Sequence, residues 1–365
     1  MTDTRQSDIE RAMRGPMVGI ALVAFVAMVW FLNFAEDVLV PLAISILLWA
    51  IVSAQARAIQ SIPLGTARAP EWMAMTFAIA TTLGVVYAAG SLISDNTSAI
   101  IRDASTYGDR IREIFEQASM AVGVEDDVAG LIEQINISNM LGNIIANLSD
   151  ILGKTIIILI YTGFLIAEQS TFDIKIKAMF RDKDQQAHIV RLFSTLARRI
   201  QDYVAVKTLM SLITAGLSYA VLRYLDVNFA GFWAFLIFLL NYVPTVGSIL
   251  GVVFPALQTL LQYDVQTFLV VVAVLGLVPQ FTIGNIVEPK VMGQSLNLSP
   301  VVILVSLTFW GIIWSVPGLF LAVPITVILM IICAHFGPTQ WAAIILSRDG
   351  QIVREVAGAQ RRRTA

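Results

Sequence analysis

Few side chains in this chain are of the types that carry out covalent or metal chemistry. The two histidines, His188 and His335, lie too far apart in sequence to form a metal-binding motif. The single cysteine, Cys333, excludes an internal disulfide and a cysteine-based zinc site. The sequence contains no phosphate-binding loop, no GxGxxG, no HExxH and no nucleophile motif. It therefore predicts a protein that is not an enzyme and that has no cofactor and no metal site.

The charges that most need explaining lie in one long apolar stretch. Between residues 227 and 336 the only charged residues are Asp264, Glu288 and Lys290. An ionisable group at membrane depth is costly and normally faces a partner or a cavity. Glu288 and Lys290 could form an interfacial ion pair that fixes a turn at Pro289; alternatively, Glu288 could couple transport to protons or cations, or contact the substrate. Asp264 is predicted to be a helix N-cap at the cytoplasmic boundary.

Proline and glycine interrupt the same region twice. The interrupting residues are Pro244, Gly247, Gly251 and Pro255 in the first stretch and Gly311, Pro317, Gly318 and Pro324 in the second. Paired broken helices can place half-helix ends near the middle of the membrane, where they bind ions or polar groups. Packing alone is the alternative. Asn241 and Tyr242 precede the first stretch and could satisfy its free backbone groups or contact substrate.

The composition identifies the surroundings of these residues as lipid. Of the 365 residues, 57% are hydrophobic and 14% are charged, with a formal net charge of -2. A soluble protein carries about 25% charged residues, so the chain lacks about forty charges. This argues against a soluble enzyme or a nucleic-acid-binding protein and favours a membrane protein. The net charge does not suggest a polyanionic partner.

A spanning helix needs about 20 mostly apolar residues. Eight such spans fit the sequence, at about 16–35, 38–56, 72–94, 151–167, 208–222, 229–243, 265–287 and 300–335. The stretch at about 244–262 is too interrupted to cross, and is predicted to be a re-entrant helical hairpin with two short arms. The distribution of Lys and Arg places both termini in the cytoplasm. The fold class is therefore an all-α polytopic membrane protein with about eight transmembrane helices.

Two polar segments are predicted to form amphipathic helices outside the membrane. Apolar residues repeat with helical spacing at 128–135 and 141–148, and again at 189–200 beside several arginines. The faces of the first segment pack within the protein or against a neighbouring subunit, or else bind a membrane surface or cap the substrate. The face of the second packs within the protein or lies on anionic lipid. The predicted units are membrane helices at 1–92, an extracytoplasmic segment at 93–150, a membrane helix at 151–167, a cytoplasmic segment at 168–207, a membrane core at 208–336 and a cytoplasmic tail at 337–365.

The C-terminal third carries a more specific pattern. Its motifs are NYVPTVG at 241–247, NIVEPKVMG at 285–293, SLNLSP at 295–300, FWG at 309–311 and LAVP at 321–324. In order and spacing these closely resemble the autoinducer-2 exporter (AI-2E) family, also called PerM-like permeases. The N-terminal half resembles the family only in its pattern of hydropathy. The candidate substrate or coupling-ion residues are Glu288, Lys290, Asn241, Tyr242, Pro244, Gly247, Asn285 and Gly293.

The resemblance implies a homo-oligomeric permease of the bacterial inner membrane. Its partners would be the lipid bilayer, a small polar solute and, for some members, a proton or sodium ion, with no nucleic acid. The first hypothesis is a secondary transporter that exports a small polar solute such as autoinducer-2. The alternatives are a sodium(lithium)/proton antiporter with Glu288 as the coupling group, and a membrane scaffold that transports nothing.

Overall fold

The computed structural model describes residues 19–122 and 153–350, except 21, 62, 65–66, 170, 181 and 293–296, together with 146 and 150. Within these ranges the chain is nearly all helical, and a short antiparallel ribbon joins β1 (Pro63–Leu64) to β2 (Ala67–Arg68). The predicted helical class is confirmed. The apolar stripes at 128–135 and 141–148, Gly293 and the tail beyond 350 lie outside the described residues.

Within 19–122 and within 153–350, short connections join successive helices. They are α1 (Leu22–Phe34), α2 (Glu36–Ser61), α3 (Glu71–Val122), α4 (Thr155–Glu168), α5 (Phe172–Met179), α6 (Lys183–Tyr224), α7 (Ala230–Leu240), α8 (Val246–Gln262), α9 (Val265–Leu275), a π-helix (Gly276–Val287), α10 (Glu288–Met292), α11 (Pro300–His335), a 3-10 turn (Gly337–Thr339) and α12 (Gln340–Leu346). The predicted boundary at 207/208 falls inside α6, which joins the basic segment to the apolar span.

Five stretches of the described chain are long and apolar enough to cross a membrane. They are Glu36–Ser61, Glu71–Asn96, Lys183–Tyr224, Val265–Val291 and Pro300–His335. Shorter apolar helices include α1, α4, α7 and α8. Many large apolar side chains on these helices are exposed, Trp72 and Phe164 among them. Exposed apolar faces on this scale are those of a protein whose solvent is lipid.

The helix bundle has two chemically different ends. At one end Lys154, before α4, forms an ion pair with Asp37 at 2.9 Å, and the Tyr263 hydroxyl donates to the Asp226 carbonyl at 2.9 Å. We call this the acidic end; it contains Glu36, Asp37, Asp226 and Asp264. At the opposite end the Arg57 guanidinium donates to the Gln201 side chain. We call this the basic end; it contains Arg57, Arg191, Arg198 and Arg199.

The first hairpin consists of α7 and α8. The two helices run antiparallel, because the Trp233 ring packs 6.4 Å from the Phe254 ring while Asn228 and Gln262 share a backbone-to-side-chain hydrogen bond at 2.8 Å. Its tip is 241–245, and it opens at the acidic end. We predicted a hairpin within 244–262, and this is wrong in one respect: α8 is a single helix that continues through Pro255, and α7 is its partner arm.

The second hairpin lies within α11 and replaces the predicted single span at 300–335. The backbone leaves the helical conformation at Trp314 (φ -124°, ψ 20°) and Ser315 (φ 50°, ψ -132°). The chain then turns back, so that the Ser306 hydroxyl donates to the Ala322 carbonyl at 3.0 Å. The tip lies towards the acidic end, where Trp314 Nε1 donates to the Leu32 carbonyl at 3.0 Å. This hairpin therefore opens at the basic end, opposite to the first.

Asp264 is the predicted N-cap, and its carboxylate accepts from the Thr267 backbone N–H at 2.7 Å. That hydrogen bond lowers the pKa of Asp264 below its ordinary value. The same end of the bundle carries Asp226, Tyr224 and the opening of the first hairpin. The cap is confirmed. Asp264 lies at the acidic end, next to the Tyr263–Asp226 contact, whereas the sequence predicted it at the cytoplasmic boundary.

Candidate functional site

A buried ion pair lies at the centre of the C-terminal half. Lys207 Nζ of α6 donates to Glu288 Oε1 at 2.6 Å, and the two side chains are only 5% and 13% exposed. Glu288 is held where the π-helix passes into α10. The predicted partner, Lys290, is exposed and lies two residues further along. The expectation of a Glu288–Lys290 pair is therefore wrong: the cation comes from α6, 81 residues away in sequence.

The tip of the first hairpin is attached to the same part of α6. The Tyr242 hydroxyl shares a hydrogen bond with the Thr208 hydroxyl at 2.6 Å, and Asn241 Nδ2 donates to the Ser211 hydroxyl at 3.0 Å. Asn241 is buried and Tyr242 is half-buried. We expected these two side chains to satisfy broken backbone or contact substrate; they bond instead to hydroxyls of α6. Ser211 lies four residues after Lys207, on the same face of α6, so the hairpin tip and the ion pair form one polar cluster.

The second hairpin closes this cluster from the other side. The Phe320 ring lies 6.4 Å from the Tyr242 ring, and Val243 packs in one apolar cluster with Trp310, Leu321 and Ala322. The two hairpins thus meet near the tip of the first. We refer to Lys207, Glu288, Tyr242, Asn241, Thr208 and Ser211 as the polar cluster.

Both hairpin tips hold a non-glycine residue in an unfavourable backbone conformation. Thr245 has φ 61° and ψ -57°, and Ser315 has φ 50° and ψ -132°. Such conformations cost about 1–3 kcal/mol each, and they concentrate at binding sites and at segments that switch conformation. Both residues are exposed. Beneath Ser315 lies a cavity of about 70 Å³ whose polar lining includes Glu36, Asp150 and Lys154.

Each hairpin depends on one glycine just beyond its turn. A Cβ on Gly247 would lie 1.8 Å from the Leu240 carbonyl oxygen, and a Cβ on Gly318 would lie 1.9 Å from the Trp310 carbonyl oxygen. No side chain fits at either distance, so the arms approach closely only because glycine is present. Both glycines were predicted from the sequence, Gly247 as a site residue and Gly318 as a hinge residue.

The remaining candidates divide between the cluster and its surroundings. Pro244 is half-buried in the tip of the first hairpin, whereas Asn285 is exposed and away from the polar cluster. Of the predicted hinge residues, Gly251, Pro255 and Pro324 are buried, and Gly311 and Pro317 flank the turn of the second hairpin. Pro255 and Pro324 lie inside helices rather than at breaks. Gly293 lies outside the described residues.

Sequence reasoning missed Lys207, Thr208 and Ser211. Lys207 was grouped with the basic residues of the cytoplasmic segment, although it is the last charge before an apolar run that extends to residue 222. A lysine at that boundary, facing a lone glutamate in an equally apolar stretch, was the available signal. Thr208 and Ser211 carry no signal of their own, since hydroxyl residues in a membrane helix commonly bond to their own backbone.

The model of the AI-2E family transporters matches residues 20–336. This chain belongs to that family. It is 27% identical over 339 residues to the AI-2 transport protein TqsA of Escherichia coli strain K12, covering 92% of this chain and 96% of that protein.

Two further relatives are named as transport proteins. A "Putative transport protein" of Haemophilus influenzae is 26% identical over 339 residues, which covers 86% of this chain and 91% of that protein. The "Putative transport protein YhhT" of Escherichia coli strain K12 is 36% identical over 183 residues, or 50% and 51% of the two chains. Membership of the AI-2E family and the apolar helices make this chain an integral membrane transporter.

Proposed function

We propose that this transporter exports a small, polar, uncharged solute of the autoinducer-2 type across the bacterial inner membrane. The observation that carries the proposal is the polar cluster: a hairpin tip, α6 and the end of the π-helix bring an ion pair, two hydroxyls, a phenol and an amide together inside an apolar bundle. A relative named for AI-2 transport supports the choice of solute.

The membrane placement belongs to the proposal. The basic end lies in the cytoplasm, because Lys and Arg are enriched in cytoplasmic loops. Six segments cross: α1, α2, the first part of α3, α4, α6, and α9 with the π-helix and α10. The first hairpin enters from the extracytoplasmic side and the second from the cytoplasm. An even number of crossings keeps both termini cytoplasmic, as expected from the sequence.

The chemistry of the polar cluster favours a neutral solute. Lys207 balances the charge of Glu288, so together they attract neither a cation nor an anion strongly. Hydroxyl, phenol and amide groups both donate and accept, which suits the hydroxyl and carbonyl groups of a small polar molecule. Such a solute could replace the Tyr242–Thr208 and Asn241–Ser211 hydrogen bonds as the hairpin tip moves away from α6.

The test uses inverted membrane vesicles, in which an exporter moves solute inwards. Vesicles from cells that express the wild type should accumulate autoinducer-2 faster than vesicles from cells with an empty vector. Glu288→Gln should insert normally and accumulate it more slowly. No accumulation above the empty-vector vesicles would contradict export of this solute.

The competing function is sodium/proton antiport with Glu288 as the coupling carboxylate. It predicts that a sodium pulse dissipates a proton gradient in the same vesicles, and that Glu288→Gln abolishes this response. Because Lys207 neutralises Glu288, we expect no sodium response beyond that of empty-vector vesicles. A sodium response that is lost in Glu288→Gln would favour the antiporter.

A further inference from the structure

Gln280 is a buried amide for which the described structure provides no hydrogen-bond partner. The residue is only 5% exposed, and neither Oε1 nor Nε2 has a partner among the described residues. A glutamine amide can accept through its oxygen and donate twice through its nitrogen. Leaving these groups unpaired in an apolar bundle is costly, and a buried unpaired polar group in a native protein can mark strain or a functional role.

Its position is special in a second way. Gln280 lies in the middle of a π-helix of 12 residues, Gly276–Val287. π-Helical geometry is rare and occurs frequently at functional sites. Here the Thr282 hydroxyl donates to the Leu277 carbonyl, five residues earlier, at 2.9 Å. The wider turn therefore determines which side chains of this segment face the bundle, and Gln280 is one of the buried ones.

The amide faces the first hairpin at a position that has no side chain. A Cβ on Gly251 of α8 would lie 2.9 Å from Gln280 Nε2 and 3.4 Å from a carbon of Ile237. Gly251 thus allows the amide to lie directly against the hairpin. Because the hairpin is attached to α6 through its tip, release of the tip would also open the surface between α8 and Gln280.

Other unpaired polar groups lie on the neighbouring helices. Among the described residues, the Ser218 hydroxyl of α6 and Trp233 Nε1 of α7 are also buried without partners. Ser218 lies two helical turns beyond Ser211, or about 10 Å, and Trp233 lies a similar distance back from Asn241 on the antiparallel α7. Gln280 lies eight residues before Glu288 along the π-helix, which runs from the acidic end towards the polar cluster. All three groups are therefore displaced in the same direction from the polar cluster, towards the acidic end.

We propose that Gln280 lies at a second solute-binding position, between the π-helix and the first hairpin, on the extracytoplasmic side of the polar cluster. It takes a small neutral molecule with hydroxyl or carbonyl groups, because an amide matches these and supplies no charge for an ion. The inference rests on the proposed transport function and names a position through which its solute passes. The position is closed in this structure and becomes accessible when the hairpin moves.

Thiol labelling tests the position whatever the transported solute is. Gln280→Cys is made in the full chain with Cys333→Ala, which removes the only native thiol. The matched control is Leu277→Cys, on the same π-helix but 64% exposed on the apolar outer surface. Membranes are treated with a hydrophilic methanethiosulfonate. A thiol reacts as the thiolate, and each unit by which apolar surroundings raise its pKa slows the reaction about ten-fold.

We expect the Gln280→Cys protein to be labelled at least ten-fold faster than the Leu277→Cys protein, and to be protected by autoinducer-2 or by a small polyol such as erythritol. Equal, slow labelling of both variants would overturn the proposal. Fast labelling that neither compound slows would also overturn it, because the position would then admit only water and reagent. If erythritol protects Gln280→Cys but the wild type does not transport autoinducer-2, the binding position at Gln280 is supported and autoinducer-2 is excluded as the solute.

A second variant separates binding from structure. Gln280→Met has a similar length and removes the unpaired amide, so we expect an unchanged or higher Tm together with a raised KM for transport. Ser53→Ala is the matched control, since the Ser53 hydroxyl is also buried and unpaired but lies on α2. Its KM should not change. A lower Tm with an unchanged KM in Gln280→Met would show that the amide is structural.

Discussion

At the scale of single residues, the Lys207–Glu288 pair explains why two charges persist in apolar helices. A single buried charge without a partner is costly. The 2.6 Å contact between Lys207 and Glu288 offsets the cost of burying each of them. The sequence identified Glu288 as the charge to explain but assigned it the wrong partner. A local pattern shows neighbours along the chain, whereas this partner is 81 residues away on another helix.

The ion pair leads to a stability prediction. Lys207→Met or Glu288→Gln alone leaves one buried charge without its partner and should lower the free energy of unfolding by about 3–5 kcal/mol. The double variant Lys207→Met with Glu288→Gln removes both charges and should recover most of that loss. Thermal unfolding of the purified protein in detergent measures all three.

The double variant should nevertheless transport poorly, because the polar cluster is gone. Arg223→Gln is the control, since its ion pair with Asp226 lies at the exposed acidic end. A double variant that loses as much stability as the two single variants added together would show that the two charges do not depend on each other.

At the scale of elements, the two hairpins are the features that the sequence predicts only in part. Proline and glycine indicated both interrupted regions. The turn of the second hairpin falls at Trp314–Ser315, which carries no glycine or proline, and the apolar run of Pro300–His335 is long enough for one complete span. Composition and length could not distinguish a span from two antiparallel arms. The close packing of Gly318 against Trp310, a contact across the turn, decides it.

The hairpin glycines give the second prediction. Gly247→Ala and Gly318→Ala each place a methyl group within 2 Å of a backbone carbonyl oxygen, and should lower stability by at least about 1–3 kcal/mol and separate the arms. The loss of stability is measured as the fraction of protein that still elutes as a folded species in size-exclusion chromatography after heating.

Gly216→Ala is the matched control, because it lies within α6 with nothing within 4 Å of the added methyl group. It should be neutral or stabilising by up to about 1 kcal/mol, since alanine favours helix more than glycine does. If Gly247→Ala and Gly318→Ala were as stable as Gly216→Ala, the close packing at the two hairpin turns would be contradicted.

At the scale of the whole molecule, the two opposed hairpins lower the proposed number of membrane crossings from eight to six. The sequence predicted eight crossings with Asp264 in the cytoplasm. The contact between Tyr263 and Asp226 instead places Asp264 beside the end of α6. The proposed arrangement has six crossings, and it keeps the termini cytoplasmic as the sequence predicts because six is even just as eight is. The orientation can be predicted from the sequence, because it depends on the distribution of Lys and Arg. The number of crossings depends on tertiary contacts, which the sequence does not show.

This arrangement yields a topology prediction. In the Cys333→Ala background, Asp264→Cys and Arg223→Cys should both react with an impermeant thiol reagent added to intact cells whose outer membrane has been permeabilised. Arg191→Cys, at the basic end, should react only after the inner membrane is opened. Protection of Asp264→Cys in intact cells, with Arg223→Cys still reactive, would restore the eight-span arrangement.

The central claim is that this chain alone moves a small neutral solute and that the polar cluster is part of the route. Its most direct test is efflux of autoinducer-2 from proteoliposomes that contain only the purified protein. We predict efflux that saturates with concentration. We also predict an efflux rate at least about ten-fold lower in Glu288→Gln, because a hydrogen bond to a charged group contributes roughly 1.5–3 kcal/mol and about 1.4 kcal/mol is a factor of ten. Wild-type efflux no faster than from protein-free liposomes, or an undiminished rate in correctly folded Glu288→Gln, would contradict the claim.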